Sequence, residues 1–288
     1  MVRCVRVFGL REKRVIRHGL GRIRYGVDDS SETKKIYDQG DFRSVRSCVS
    51  CKACKSECPS NVDIARFKAE FLQQHYDVCG VPMKAFLIAR LTEIQRLGTI
   101  LPWFYNAVVR NRMTGGMLKR MLHFAPERAI PTLYKTTLKH WLGRYRRKNR
   151  GEIVGRVFLF ADEFTNYMDV EIGIKMIELL DRLGYEVIIP KHVESGRTAI
   201  SKGMLKVAKG VARKNVLLLK SWVTENIPLV GIEPSCILSF RDEYPDLVGD
   251  DLKEEALRLG KNCLLYDEFF TGRFVPEEYG QNNLLINR

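Results

Sequence analysis

"RVFLFADEFTNYMDVEIGIKMIELLDRLGYEVIIP", residues 156–190, decides the architecture of the second half of this chain. It opens on a buried-strand run of Val, Phe and Leu. "DVEIGIKMIELLDRLG" then spaces its apolar side chains at helical intervals and closes on Gly184, and "YEVIIP" is a second strand run ended by proline. Strand, helix and strand in that order make a βαβ unit, whose two strands lie parallel because the helix carries the chain back across the sheet. Further on, residues 198–214 and "NVLLLKSWVTEN" predict two helices, "IPLVGIEP" a strand, and "SCILSFRDEY" a helix starting at that strand's end. Residues 151–288 are therefore expected to form an α/β domain with a mostly parallel sheet.

Upstream the rhythm is helical. "NVDIARFKAEFLQQHYDV" carries Ile64, Phe67, Phe71 and Leu72 near helical spacing, with Asn61 or Asp63 as cap. Residues 81–122 continue as three or so short helices broken at Gly98, at Pro102 and at Gly115-Gly116. A loop, a basic helix and a linker ending near Gly151 follow. The fold class is α+β overall: a basic arm over 1–46 with a short helix around 31–38, a ferredoxin-like iron–sulfur and helical domain over 47–150, and the α/β domain over 151–288.

Between the arm and the first strong helix stands "CVSCKACKSECPSN", residues 48–61, with four cysteines in eleven positions. The spacing C-x2-C-x2-C-x3-C-P, as Cys48, Cys51, Cys54, Cys58 and Pro59, is that of bacterial ferredoxin-type [4Fe-4S] ligation. Two-residue gaps let three thiolates reach three irons of one cube while loop amides point at the sulfides. Zinc knuckles, by contrast, separate two Cys-x2-Cys pairs by a dozen or more residues, so that a tetrahedral ion is approached from opposite sides. In two-cluster ferredoxins the fourth cysteine of such a run ligates the other cluster. One run thus offers three ligands to one cube and one ligand to another, and Cys4, Cys79, Cys236 and Cys263 are the remaining thiols that could complete the first.

Composition bounds the rest. With 288 residues, 45% of them hydrophobic, the chain can bury a real core, which excludes a disordered protein. Eight cysteines, half of them crowded and half scattered, do not make a disulfide framework, and a reducing compartment fits better. The expected location is cytoplasmic or peripheral on the inner face of the membrane. "MVRCVRVFGLREKRVIRHGLGRIRYG" has no apolar run of a secretory signal; its many arginines and one acid, Glu12, faintly suggest an organellar transit peptide, without the serines that usually accompany one. The net charge of +14 is uneven: 12 Lys and Arg face 6 acids over 1–46, 19 face 6 over 47–150, and 17 face 22 over 151–288. The basic first half suits an acidic protein, an anionic membrane surface or nucleic acid.

"SCVSCKACKSECPSNVDIARFKAEFL", "FAPERAIPTLYKTTL", "FADEFTNYMDVEIGIKMIELLDRLGYEV", "SGRTAISKGML" and "GIEPSCILSFRDEYPDLV" together resemble the C-terminal part of FAD-linked oxidoreductases of the glycolate oxidase and D-lactate dehydrogenase type. In these a flavin domain precedes a ferredoxin-like segment and a cysteine-rich domain akin to that of heterodisulfide reductase. The resemblance implies an iron–sulfur electron-transfer component that takes electrons from a flavin after oxidation of a 2-hydroxy acid such as lactate or glycolate. It would pass them to a quinone or other acceptor. The Gly-rich FAD loops are not among these residues, since "GLGRIRYG" follows no strand, so FAD is expected on a partner chain or another domain. Expected partners are a flavoprotein, a second iron–sulfur module and membrane quinone. Where the family has Cys-Cys-Gly-Arg, this chain has "ESGR", with Glu194 and Ser195 in the cysteine places, and Cys236 alone remains there.

Three other readings come from the residues themselves. His192, Glu194 and Cys236 offer a replacement metal site at the strand ends, where α/β sheets bind ligands. "RDEY", 241–244, reads as a salt-bridged helix face rather than a catalytic group. A basic nucleic-acid- or membrane-binding protein with a structural metal knot is the alternative function, carried by Trp103, Phe104, Tyr105, Trp141 and Tyr145 among the basic residues. Those aromatics fall at helix-core spacing, so nucleic acid is not the expected partner, and no catalytic residue is assigned.

Overall fold

A computed structural model describes residues 48–274 apart from Asn61 and Arg150. The arm over 1–46, with its expected helix and Cys4, lies outside the described residues. The chain divides into two compact units, one ending at Gly80 and the other beginning at Val81.

In the first unit the cysteine run is not wholly loop. Ser50 and Lys52 take left-handed backbone angles (φ 58° and 61°), and a short helix, α1 (Ala53–Glu57), follows. Cys58 N donates to Cys54 O at 3.0 Å and closes that turn. α2 (Ile64–Cys79) starts at Asp63, whose Oδ1 accepts from Arg66 N at 3.1 Å, one of the first-turn N–H groups that no helical carbonyl can satisfy. Ala69, Leu72 and Tyr76 are its buried stripe, three and four residues apart.

The second unit begins with four short helices, α3 (Met83–Ala89), α4 (Leu91–Gly98), α5 (Pro102–Arg110) and α6 (Arg112–Met121). The breaks at Gly98 and Pro102 are as expected; the one at Gly115-Gly116 is not. The chain breaks instead at Asn111, whose side chain accepts from Met113 N (2.8 Å) and Thr114 N (3.2 Å). Gly115 serves close packing: a Cβ there would stand 2.5 Å from the Val109 carbonyl oxygen.

α7 (Leu138–Arg144) is capped by Thr137, and Leu138 is fully buried. The sheet and its helices follow as β1 (Gly155–Phe160), α8 (Val170–Arg182), β2 (Tyr185–Ile188), α9 (Arg197–Ser201), α10 (Leu205–Leu219), β3 (Leu229–Gly231), α11 (Pro234–Ile237), α12 (Ser239–Asp242), α13 (Tyr244–Leu247), α14 (Lys253–Lys261), β4 (Cys263–Leu265) and α15 (Tyr266–Phe274). The strand order is β2-β1-β3-β4 and every pairing is parallel, with Val157 opposite Val187, Leu159 opposite Val230 and Val230 opposite Leu264. The βαβ reading of 156–190 thus stands. Gly184 ends α8 at φ 89°, a conformation that disfavours any side chain.

Alternate residues of β1 feed opposite core layers, as the period of a strand requires. Val157 and Leu159 pack with Leu138, Ile177, Leu180 and Phe269; Phe158 and Phe160 pack with Val216, Leu219, Phe240 and Tyr244. Each fully buried side chain of this kind contributes roughly 1.5–3 kcal/mol. Two helix readings are corrected. The segment from 197 breaks at Gly203 (φ 70°) and then runs unbroken to Leu219, because Ala208, Ala212, Val216 and Leu219 form one buried stripe across the expected boundary. The helix expected over 235–244 is three short turns that bend around Phe240 and Tyr244.

Candidate functional site

The sheet places chemistry at one end. β1 leads through its helix to β2 on one side, and the chain then crosses to β3 on the other, so the carboxyl ends of β1 and β3 flank the point where strand order reverses. In open α/β sheets that crevice is where ligands bind. Asp162 and Glu163 follow β1, His192, Glu194 and Ser195 follow β2, and Cys236 lies in α11 after β3.

Asp162, Glu163 and Cys236 are buried and bring one ligand atom each to within 4.8 Å of the others; among the described residues no other trio of His, Cys, Asp and Glu does so. Asp162 Oδ1 accepts from Phe164 N (2.8 Å) and Thr165 N (3.0 Å), and its Oδ2 from Thr165 Oγ1 (2.7 Å), a local turn that fixes the carboxylate at the strand end. Glu163 is held across the crevice: its Oε2 accepts from Ser195 N (2.9 Å) and its Oε1 from Ser195 Oγ (2.7 Å). Ser195 Oγ accepts in turn from Arg197 N (3.0 Å) and lies 3.3 Å from Cys236 Sγ.

Burial lifts the Glu163 carboxyl to about 7, against the pull of the Ser195 hydrogen bonds and with help from the Asp162 charge. Burial likewise raises Asp162. The Cys236 thiol is pushed far up, by burial first and then by the Glu163 and Asp162 charges, so it stays protonated. Around them runs a second ring of bonds. Asn215 accepts from Val193 N (2.9 Å) and donates to Glu194 O (2.7 Å) and to Tyr244 Oη (2.9 Å), while Tyr244 donates to Ser195 O (2.9 Å). The 192–196 loop is thereby locked by α10 and α13.

The expected trio His192, Glu194 and Cys236 is thus replaced by Asp162, Glu163 and Cys236. His192 packs against Phe160, places Nδ1 2.7 Å from Val193 O, and is pushed down to about 3 by burial and by the Lys139 charge. It stays neutral. Asp162 and Glu163 escaped sequence reading because acids after a strand commonly begin a solvated turn, and the signal that could find them is their place at the end of the central strand. The crevice does not fit a thiolate-held cluster, since it offers one thiol; two carboxylates and a thiol are the donor set for a single divalent ion. "RDEY" is salt-bridged as expected: Arg241 pairs with Glu268 and donates to Cys263 O (2.9 Å), and Arg197 meets Glu243 at 3.1 Å. Tyr244, however, belongs to the buried network.

Within the first unit, Cys51 is exposed and Cys48, Cys54 and Cys58 are partly buried. Ser50 N donates to Cys48 Sγ at 3.4 Å, and Lys68 from α2 reaches back to Cys48 O. Cys79 closes α2 and is exposed. In the second unit Cys236 and Cys263 are fully buried, the latter 3.2 Å from Leu259 O. Among the described residues no helix is long and apolar enough to cross a membrane.

No protein-family model matches the chain, and no solved structure does. Curated proteins do. The chain is 23% identical over 228 residues to D-2-hydroxyglutarate dehydrogenase of Escherichia coli, a match covering 77% of this chain and 22% of that protein. It is 24% identical over 197 residues to a subunit of the anaerobic glycerol-3-phosphate dehydrogenase of Escherichia coli, covering 68% of this chain and 49% of that one. With lactate utilization protein A of Macrococcus caseolyticus it shares 30% identity over 102 residues, 35% of this chain and 40% of that protein. The chain therefore spans about a fifth of the length of the D-2-hydroxyglutarate dehydrogenase and about half that of the glycerol-3-phosphate dehydrogenase component. The chain is thus similar over about three quarters of its length to D-2-hydroxyglutarate dehydrogenases, at 23–26% identity, and over about a third of it to a lactate utilization protein.

Proposed function

We propose that this chain is the iron–sulfur electron-transfer part of a flavin-linked oxidoreductase acting on a 2-hydroxy acid. The observation that carries the reading is the cysteine run at 48–58, joined to a likeness to D-2-hydroxyglutarate dehydrogenases and to a lactate utilization protein. Cys48, Cys51 and Cys54 hold one [4Fe-4S] cluster, and Cys58 serves a second cluster on a partner or on another domain. When bound, the cluster takes up and passes on one electron at a time. Two features of the loop suit this. Ser50 and Lys52 take left-handed backbone angles that turn the chain tightly between the cysteines, and the N–H of Ser50 faces the Cys48 sulfur, as the hydrogen bonds that tune cluster potential do. Three thiolates on three different irons of one cube also stand further apart than ligands of a single ion, so Cys48, Cys51 and Cys54 need not crowd as Asp162, Glu163 and Cys236 do.

The flavin belongs to a partner chain or another domain, and the acceptor is a quinone or a further carrier. The test is reduction of the anaerobically reconstituted chain followed by paramagnetic resonance. The expected result is a signal of a reduced [4Fe-4S] cluster, produced also by a flavoprotein partner with its 2-hydroxy acid. Absence of any such signal in a folded, iron- and sulfide-treated chain would remove the proposal.

A further inference from the structure

The second unit carries an apolar surface that the electron-transfer reading does not use. Leu97, Ile100, Leu101, Trp103 and Phe104, five large apolar side chains within eight residues, are each more than half exposed, Ile100 at 73% and Trp103 at 69%. They lie where α4 ends and α5 begins, and Trp103 meets Phe104 edge-on at 5.9 Å between ring centroids. Leu97, Ile100, Leu101, Phe104, Tyr105 and Val108 line one groove of about 380 Å³, almost wholly apolar. A lone exposed leucine needs no explanation, but a contiguous apolar patch of this kind marks a contact surface.

Two observations decide its occupant. First, the polar side chains along 97–108 are turned inward: Thr99 Oγ1 donates to Arg96 O (2.7 Å), Tyr105 Oη to Pro131 O (3.5 Å), and Asn106 exchanges two 2.8 Å bonds with the Leu133 backbone. The segment presents mainly hydrocarbon and aromatic rings, with the indole N–H of the exposed Trp103 as its main outward side-chain donor, whereas a protein interface carries about one hydrogen bond per 100–200 Å². Second, the surrounding charge has one sign. Residues 81–121 hold seven Lys and Arg, Lys84, Arg90, Arg96, Arg110, Arg112, Lys119 and Arg120, against the single acid Glu93, which Arg90 already meets at 3.3 Å. A largely apolar tip on a strongly basic segment is complementary to a bilayer with anionic headgroups, where Trp and Phe rings settle at the interface and Arg side chains reach the phosphates.

We propose that residues 97–108 dip into the interfacial layer of an anionic membrane, with Trp103 and Phe104 at the tip and Arg96, Arg110 and Arg112 against lipid phosphates. The contact is peripheral. Insertion of two rings and three aliphatic side chains supplies the apolar term, and the basic rim supplies attraction that salt weakens.

The test uses the full chain with vesicles of phosphatidylcholine alone and of phosphatidylcholine with phosphatidylglycerol, read by co-sedimentation and by tryptophan emission. Binding to the anionic vesicles with a blue shift is expected, and little binding to the neutral ones. Trp103→Asp and Phe104→Asp, at exposed positions where folding is not at risk, should each weaken partitioning by about tenfold or more. Trp222→Asp, at a side chain 63% exposed in the turn that follows α10, should leave it unchanged. The proposal is overturned by absence of binding to anionic vesicles, by equal loss in Trp222→Asp, or by binding that salt abolishes without any blue shift. Capture of a protein partner through Trp103 with no vesicle binding overturns it as well. Cluster content does not enter any of these readouts, so the outcome is independent of the electron-transfer proposal.

Discussion

Between residues 48 and 58 four cysteines sit on tight, partly exposed turns that also carry Lys52 and Lys55; in the crevice after β1 and β3 one cysteine is sealed between two carboxyl groups and a hydroxyl. The two settings differ in exposure and in charge. Lys52 and Lys55 stand within the first run, and Lys68 reaches back to Cys48 O. Burial and the Glu163 and Asp162 charges keep Cys236 a thiol. Cysteine count alone is therefore a poor guide in this chain: Cys51 is exposed and Cys48, Cys54 and Cys58 are partly buried along one run, whereas Cys236 and Cys263 are fully buried.

The largest effect expected from breaking this contrast is at the loop. Cys51→Ala should abolish iron and sulfide binding with little change in the thermal unfolding of the second unit, since Cys51 is exposed. Next comes Glu163→Ala, which strands the buried Ser195 N–H and hydroxyl and should cost about 3 kcal/mol in denaturant unfolding while leaving cluster content intact. Glu163→Gln sharpens the point through pH. The folded carboxyl titrates near 7, above about 4.3 for the unfolded chain, so the folded state holds this proton more tightly. Its contribution is present in full below the unfolded value and is lost as pH rises to about 7. Chelator-treated wild type should lose ground to Glu163→Gln between pH 5 and 8. A flat difference across that range would remove the buried carboxyl from the account.

Asn215→Ala, which releases the 192–196 loop, should cost about 2 kcal/mol, again with the cluster retained. The smallest effect belongs to Cys236→Ala, expected to lower stability by about 1 kcal/mol and to leave iron and sulfide unchanged. Loss of the cluster in this variant would show that the buried thiol is its missing ligand.

The parallel sheet was legible because the runs at 156–160 and 185–190 are apolar apart from Arg156 and Glu186, which pair with each other across the two strands at 2.7 Å. β4 was not: Cys263, Leu264 and Leu265 are too few to outweigh their neighbours, and pairing with β3 makes the strand. Gly115-Gly116 misled because glycine marks both a break and a close approach, and only the Val109 carbonyl opposite Gly115 separates the two. In the cysteine run the proposed chemistry is carried by spacing alone, since consecutive ligands must lie near one another on any backbone. In the crevice, the residues that meet are 162, 163, 195 and 236, and only the crossing of three strands brings them together.

The central claim is tested most directly by measuring iron and acid-labile sulfide in the anaerobically reconstituted chain alongside Cys51→Ala and Cys58→Ala. About four irons and four sulfides per chain, lost in Cys51→Ala and kept in Cys58→Ala, is the predicted result. Iron and sulfide that persist in Cys51→Ala, or that the wild-type chain never acquires alone or with its flavoprotein partner, would contradict it.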